Sequence, residues 1–292
     1  MRFPEYFTDD KPIISFELYP PKTDGGMRAL KQRIVPNLLK LNPNYITVTY
    51  GAGGSTRAKT LEIASLIQND FGLTSACHLT CVGSSRTDID GILNEIRTAN
   101  IRNVVALRGD PPQGEDTFVA PKDGFAHGNE LVTHIRSTEP ADDPFGVAVA
   151  GYPEKHHEAP DLDTDIANLK RKVECGGNII ITQLFYKNDH FFRFVDKVRA
   201  SNINVPIIPG LMPILSARQI QRITSMCGSE IPGNLQTQLN DAIDDDDKAM
   251  QIGIDQCAAQ ATELLEQGMP GIHFYVLNKS THMRKIVQAL PL

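Results

Sequence analysis

The sequence predicts an α/β fold, a (β/α)8 TIM barrel, in a single domain spanning residues 1–292. Three observations carry this. Apolar, β-branched runs recur at eight places, each followed by a stretch with helical periodicity. The runs are nearly continuous rather than alternating, which implies parallel strands with both sheet faces covered. Eight strand–helix units in 292 residues is also the size of such a barrel. An open doubly wound sheet is the alternative.

In chain order, the first strand is "IISFEL" (13–18), stopped by Pro20-Pro21. Glu17 sits inside it, a residue type seldom buried without a partner. The amphipathic stretch "MRALKQRIVPNLLKL" follows, then "YITVTY" (45–50). "GAGGST" (51–56) comes next. It reads equally as a small-residue turn whose N–H groups meet an anion or as a tight strand-to-helix turn, and it is no dinucleotide fingerprint. The third and fourth strands are "LTSACHLTC" (73–81) and "NVVALR" (103–108). A long Pro/Gly-rich connection at 111–127 follows, of the length that is usually functional or disordered. "FGVAVAGY" (145–152) precedes the helical "TDIANLKRKVECG", which ends at Gly176-Gly177, a stop signal. "NIIITQLF" (178–185) and "VPIIPGL" (205–211) come next. Extra helical material fills 228–271 before the last strand, "IHFYVL" (272–277). Within it, the acid run Asp244–Asp247 reads as a solvated helix N-terminus, with a metal site as the alternative.

A formal charge of −6 argues against a general nucleic-acid or membrane-surface partner. No apolar stretch approaches a membrane span, and "MRFPEYFTDDKP" lacks the apolar core of a signal peptide. Five scattered cysteines without a CxxC pair fit a reducing compartment, so the expected location is cytoplasmic. No metal is expected: Cys77, His78 and Cys81 carry ligand atoms, but strand alternation points His78 away from both cysteines.

Polar residues collect at strand ends: Glu17, Thr49 and Tyr50, His78 and Thr80, Arg108 followed by Gly109-Asp110, Tyr152, Gln183, then His273, Tyr275 and Asn278. In a parallel barrel these ends share one face, the face that holds active sites. Asp165, Asn168 and Lys172, spaced i, i+3, i+7 and flanked by Arg171, share one helix face. That face suits a ribose and a diphosphate, or is an ordinary solvated surface with an internal ion pair.

Taken together, "SFELYPPK", "VTYGAGGS", "HLTC", "VVALRGDPP", "GYPEKHHEA", "DIANLKRKVECGGNIIITQLFY", "IIPGLMPI" and "HFYVLN" resemble the methylenetetrahydrofolate reductase family, in family order over nearly the whole chain. The length resembles the bacterial form, a catalytic barrel without the regulatory domain of animal enzymes. The resemblance implies FAD, NADH or NADPH as donor, and ping-pong reduction of 5,10-methylenetetrahydrofolate to 5-methyltetrahydrofolate. It implies Glu17 as proton donor to the folate ring nitrogen, and Asp110 as a contact of both flavin and pterin that steadies positive charge. An apolar strand end would raise the Glu17 pKa, as a donor near neutrality needs.

The implied cofactor contacts are Tyr50, Ala52, His78, Arg108, Gly109, Asp110, Gly128, Tyr152, His156, Ala159, Asp165, Asn168, Arg171 and Lys172. The implied substrate contacts are Thr49, Gln183, Gln219 and Lys279. Lys279 stands where the family commonly has arginine, keeping the charge and losing the planar fork. A homo-oligomer, often a tetramer, is also implied. Two other functions fit the residues: a metal-dependent barrel aldolase or hydrolase using Glu17, His78 and Asp110, and a non-catalytic flavin- or folate-binding protein.

Overall fold

The computed structural model describes residues 1–9, 11–50, 56–111, 114–115 and 117–292. Nine parallel strands surround a common axis: β1 (Ile13–Leu18), β2 (Tyr45–Val48), β3 (Ser75–Thr80), β4 (Asn103–Leu107), β5 (Gly146–Gly151), β6 (Ile179–Thr182), β7 (Ile207–Ile208), β8 (Gly210–Leu211) and β9 (Gly271–Tyr275). Their order is β7-β6-β5-β4-β3-β2-β1-β9-β8. β7 pairs with β6 and β8 pairs with β9. The two short strands are one barrel staple broken at Pro209, which has no N–H to give to a ladder. Its carbonyl still accepts from His273 N at 2.9 Å, so the sheet closes through that residue. The (β/α)8 barrel is therefore observed, with its seventh strand split.

Alternation along the strands separates two cores. Ile14, Phe16 and Leu18 of β1 face outward into the large core shared with the helices. Ile13 faces the lumen, in a smaller cluster with Tyr45, Ala76, Val105, Ala148 and Ile181. Ser15, Glu17 and Tyr19 continue the lumen face toward the C-terminal end. A 3-10 helix, Phe3–Phe7, plugs the N-terminal end. Phe3 is fully buried against Tyr45, with ring centroids 5.0 Å apart, and its N–H donates to Asn103 Oδ1 at 2.7 Å.

The stretch expected as one helix after β1 is helical over Asp24–Ala29 and Val35–Leu39, with a π turn over Leu30–Ile34 between them. Pro36 lacks an N–H and crowds the preceding carbonyls, and a widened turn relieves both. The helices Ala217–Cys227 and Gly233–Asn240, with the start of Asp246–Glu266, close a satellite core built on Ile220, Leu235, Leu239 and Ala249. The acid run serves the last of these: Asp245 caps it, accepting from Lys248 N at 3.0 Å, and Asp246 and Asp247 lie in its first turn.

Candidate active site

A cavity of about 820 Å³ opens among the C-terminal strand ends. Its most buried ionisable group is Glu17, 4 % exposed. The parallel register places Glu17 beside Thr47 on one neighbour and Tyr275 on the other. Donors converge on Oε2: Thr47 Oγ1 donates at 3.3 Å and His273 Nε2 lies at 3.3 Å. His78 Nε2 is closer, at 3.0 Å, yet its ring edge is not aimed well enough to count as a hydrogen bond. His273 is fully buried and bonded through Nδ1 to Ser15 Oγ at 2.8 Å.

The expected rise in the Glu17 pKa is not what this geometry gives. Burial pushes the carboxyl up, as anticipated. The charge His78 can carry at 3.0 Å, and the hydrogen bond and charge of His273, outweigh it and hold the group down at about 2. The sequence shows an apolar strand; it does not show two imidazoles from β3 and β9 arriving at one oxygen.

Arg108, Gly109 and Asp110 follow β4. Gly109 has φ +88°, and a Cβ there would lie 3.0 Å from Thr80 Cβ and Val82 Cγ1. Only glycine takes this turn without strain, and the turn sets Asp110 on the cavity rim. Arg108 is gripped bidentately by Glu158, at 2.5 and 2.7 Å, and lies over the Phe118 ring at 5.0 Å.

Across the cavity runs the helix Leu162–Glu174, capped by Asp161, which accepts from Thr164 N at 2.7 Å. Asp165, Asn168, Arg171 and Lys172 all line the cavity, as the spacing predicts. Asp165 accepts from His156 N at 3.0 Å, tying the loop after β5 to the helix; burial raises its pKa. Lys172 Nζ donates to Ala150 O at 2.5 Å, and burial pushes it down to about 8. Arg171 donates to Asn168 Oδ1 at 2.5 Å. His156 packs edge-on to Tyr152 and is lowered to about 4, chiefly by burial. Thr49, Tyr50, Gly128, Ala159 and Gln183 complete the expected set on the wall.

Three cations with an amide and a carboxylate in the lining, and Val105, Ala106, Leu107, Ala150 and Ile181 as its apolar part, fit a ligand carrying a diphosphate, a ribose and a flat ring system. The donor set therefore fits a flavin dinucleotide.

Three expected contacts are not gathered here. Ala52 lies outside the described residues. Gln219, on Ala217–Cys227, and Lys279, beyond β9, are exposed and do not line the cavity. Conversely, the cavity uses Tyr19, His127 and Glu158, which sequence reasoning did not select, and Tyr275, which it noted as a polar strand-end residue without giving it a contact. Tyr19 and Tyr275 had a usable signal, since each follows a noted lumen-facing residue by two. Glu158 had none. The His/carboxylate group whose ligand atoms come close among the described residues is Glu154, His190 and Glu230, not Glu17, His78 and Asp110. Its members are already engaged: His190 Nδ1 with Glu154 at 2.6 Å, and Glu230 with Lys187.

A family model described as methylenetetrahydrofolate reductase matches residues 2–291. Methylenetetrahydrofolate reductase (NADH) 1 of Arabidopsis thaliana is 41 % identical, covering 90 % of this chain and 46 % of the plant protein. 5,10-Methylenetetrahydrofolate reductase of Escherichia coli is 35 % identical, covering 91 % of this chain and 86 % of the bacterial protein. The chain thus spans about half the length of the plant relatives. Among solved structures, an uncharacterized protein from Clostridium thermocellum that binds two copies of 5-methyl-5,6,7,8-tetrahydrofolic acid superposes with a TM-score of 0.64 at 16 % identity, over 98 % of this chain and 95 % of that one. Oxaloacetate acetylhydrolase reaches 0.53 at 10 % identity, over 97 % and 81 %. These two likenesses are of fold.

Proposed function

We propose, because this chain belongs to the methylenetetrahydrofolate reductase family, that it reduces 5,10-methylenetetrahydrofolate to 5-methyltetrahydrofolate with FAD and a nicotinamide donor, NADH by similarity to the plant relatives' names. Family identity implies a flavin. The single observation that carries the reading is one cavity lined by two chemistries: the cations Arg108, Arg171 and Lys172, and the polar set Glu17, Asp110 and Gln183.

The chemistry FAD supplies when bound is hydride relay from nicotinamide to the folate carbon. The chain's own residues handle charge and protons. Arg108, Arg171 and Lys172 neutralise a diphosphate, and Asn168 and Asp165 take ribose hydroxyls. Glu17 delivers a proton to the folate ring nitrogen, which leaves as an amine and opens the ring to a cationic iminium. Asp110 faces that positive charge. Glu17 shares its site with His78 and His273, whose Nε2 atoms lie 3.0 and 3.3 Å from its Oε2, so the proton it donates belongs to a coupled cluster and not to an isolated carboxyl. Gln183 and Thr49 orient whichever planar ring occupies the site, so donor and folate bind in turn. A reducing cytoplasm and a homo-oligomer accompany this reading; fractionation and light scattering test them. Among the described residues no helix is long and apolar enough to cross a membrane.

The test is an absorbance spectrum of the purified, FAD-supplemented protein. A flavin band should bleach on anaerobic NADH and return on adding methylenetetrahydrofolate. Protein that binds no flavin, or whose bleached band ignores the folate, overturns the proposal.

A further inference from the structure

The backbone just above Glu17 is held by an unusual device. Leu277 and Asn278, directly after β9, both adopt left-handed conformations, with φ of 53° and 55°. Asparagine tolerates this region; leucine pays for it. The turn aims the Asn278 amide at the chain leaving β1: Tyr19 N donates to Asn278 Oδ1 at 2.9 Å, and Asn278 Nδ2 donates to Tyr19 O at 2.6 Å. Both backbone groups of one residue are thereby clamped by one side chain, and that residue lines the cavity.

Strand alternation puts the Tyr19 ring on the same side as Glu17, two residues earlier. The carboxyl's inner neighbours all meet it at Oε2: Thr47 and His273 by hydrogen bonds, and His78 by a 3.0 Å approach. None of these reaches Oε1. Tyr19 is half-buried and lines the same cavity as Glu17, and its phenol is held well above the usual range, first by burial and then by the negative charge of the Glu17 carboxylate. It therefore stays a neutral donor at any working pH. The other titratable groups bearing on this pair are His78, His273, Tyr275 and Cys227.

We propose that Tyr19 is a positioning residue for the acid: its hydroxyl donates to the cavity-side oxygen of Glu17, and the Asn278 clamp fixes it there. This rests on the proton-donor reading of Glu17 above. While Glu17 carries its proton on Oε1, the phenol orients that O–H toward the substrate nitrogen. As the proton leaves, the same phenol donates to the new carboxylate. The O–H bond of Glu17 breaks, the N–H bond of the folate forms, and Tyr19 keeps its own proton throughout.

The test compares the two half-reactions of the FAD-loaded enzyme by anaerobic stopped flow, in Tyr19→Phe, Asn278→Gly and Glu17→Gln. Loss of one hydrogen bond to a charged group predicts that Tyr19→Phe slows flavin reoxidation by methylenetetrahydrofolate roughly tenfold to a hundredfold. Reduction by NADH should stay within about twofold, as no carboxyl proton is used there. Asn278→Gly suits the left-handed turn and removes the clamp, so it should fold and show the same defect to a smaller degree. In cofactor-free protein, infrared titration should show the Glu17 carboxyl ionising at higher pH in Tyr19→Phe, since a donor to the carboxylate is gone. Equal slowing of both half-reactions, or a wild-type folate half-reaction and titration in Tyr19→Phe, overturns the inference while leaving Glu17 as donor if Glu17→Gln is dead. A folate half-reaction that survives Glu17→Gln overturns both.

Discussion

The two ends of the barrel lumen differ although one rule builds them. On β1 the inward positions run Ile13, Ser15, Glu17 and then Tyr19. At the N-terminal end Ile13 joins Tyr45 and Ile208 in an apolar cluster stoppered by Phe3, and the polar atoms there are spent on structure: Asn103 takes the Phe3 N–H and donates to Met1 O. At the C-terminal end the same alternation delivers Glu17, His78 and His273 to one point and leaves a cavity above them. Height along a strand, not identity of the face, decides whether a lumen residue packs or reacts. One end is plugged by Phe3; the other holds the opening and, at Glu17, a depressed carboxyl.

Substitutions at each end should therefore separate activity from stability. The largest effect is expected from Glu17→Gln: loss of the proposed general acid should slow flavin reoxidation by methylenetetrahydrofolate about 10²- to 10⁴-fold, with NADH-dependent bleaching kept. Stopped-flow traces decide this, and equal loss of both phases would erase the distinction between the ends. At the plug, Phe3→Ala should cost about 3–5 kcal/mol in chemical denaturation, while the surviving folded fraction keeps its rate per flavin.

The acid side of the stability profile sharpens the contrast. Glu17, lowered from 4.5 to about 2, contributes stability that is complete above pH 4.5 and lost as pH falls toward 2. His282, on the helix Thr281–Gln288, is 2 % exposed with neither ring nitrogen hydrogen-bonded, and burial lowers it from 6.5 to about 4. The unfolded chain then binds the extra proton, so stability falls as pH drops from about 6.5 to 4, by about 3 kcal/mol in all. His282→Leu should flatten denaturation midpoints over that window and leave the loss between 4.5 and 2. An unchanged slope would place the acid sensitivity elsewhere.

The smallest effect belongs to the rim. Asp110 is exposed, so its field is screened. Asp110→Asn should raise the flavin midpoint potential and slow folate reduction about tenfold. Spectroelectrochemistry showing a lowered or unchanged potential would remove Asp110 from that role.

Several of these positions were readable before any fold was known. The helix face of Asp165, Asn168, Arg171 and Lys172 follows from a 3.6-residue period, and it lines the cavity. The run Ile13–Leu18 is reproduced to the residue. By contrast, "NIIITQLF" is strand only over Ile179–Thr182, because side-chain chemistry does not say where a neighbour's ladder ends. Gln219 and Lys279 were selected through resemblance rather than pattern, and they lie outside the cavity.

The sequence by itself determined the barrel, the face on which its polar strand ends meet, and the family, because periodicity and motif order are local properties of a chain. Only the tertiary structure decided the protonation chemistry of Glu17, the plugging role of Phe3 and the Asn278 clamp on Tyr19. Each depends on groups up to 259 residues apart reaching hydrogen-bond distance. Distance in space, which sets both Coulomb energy and desolvation, is not written along the chain.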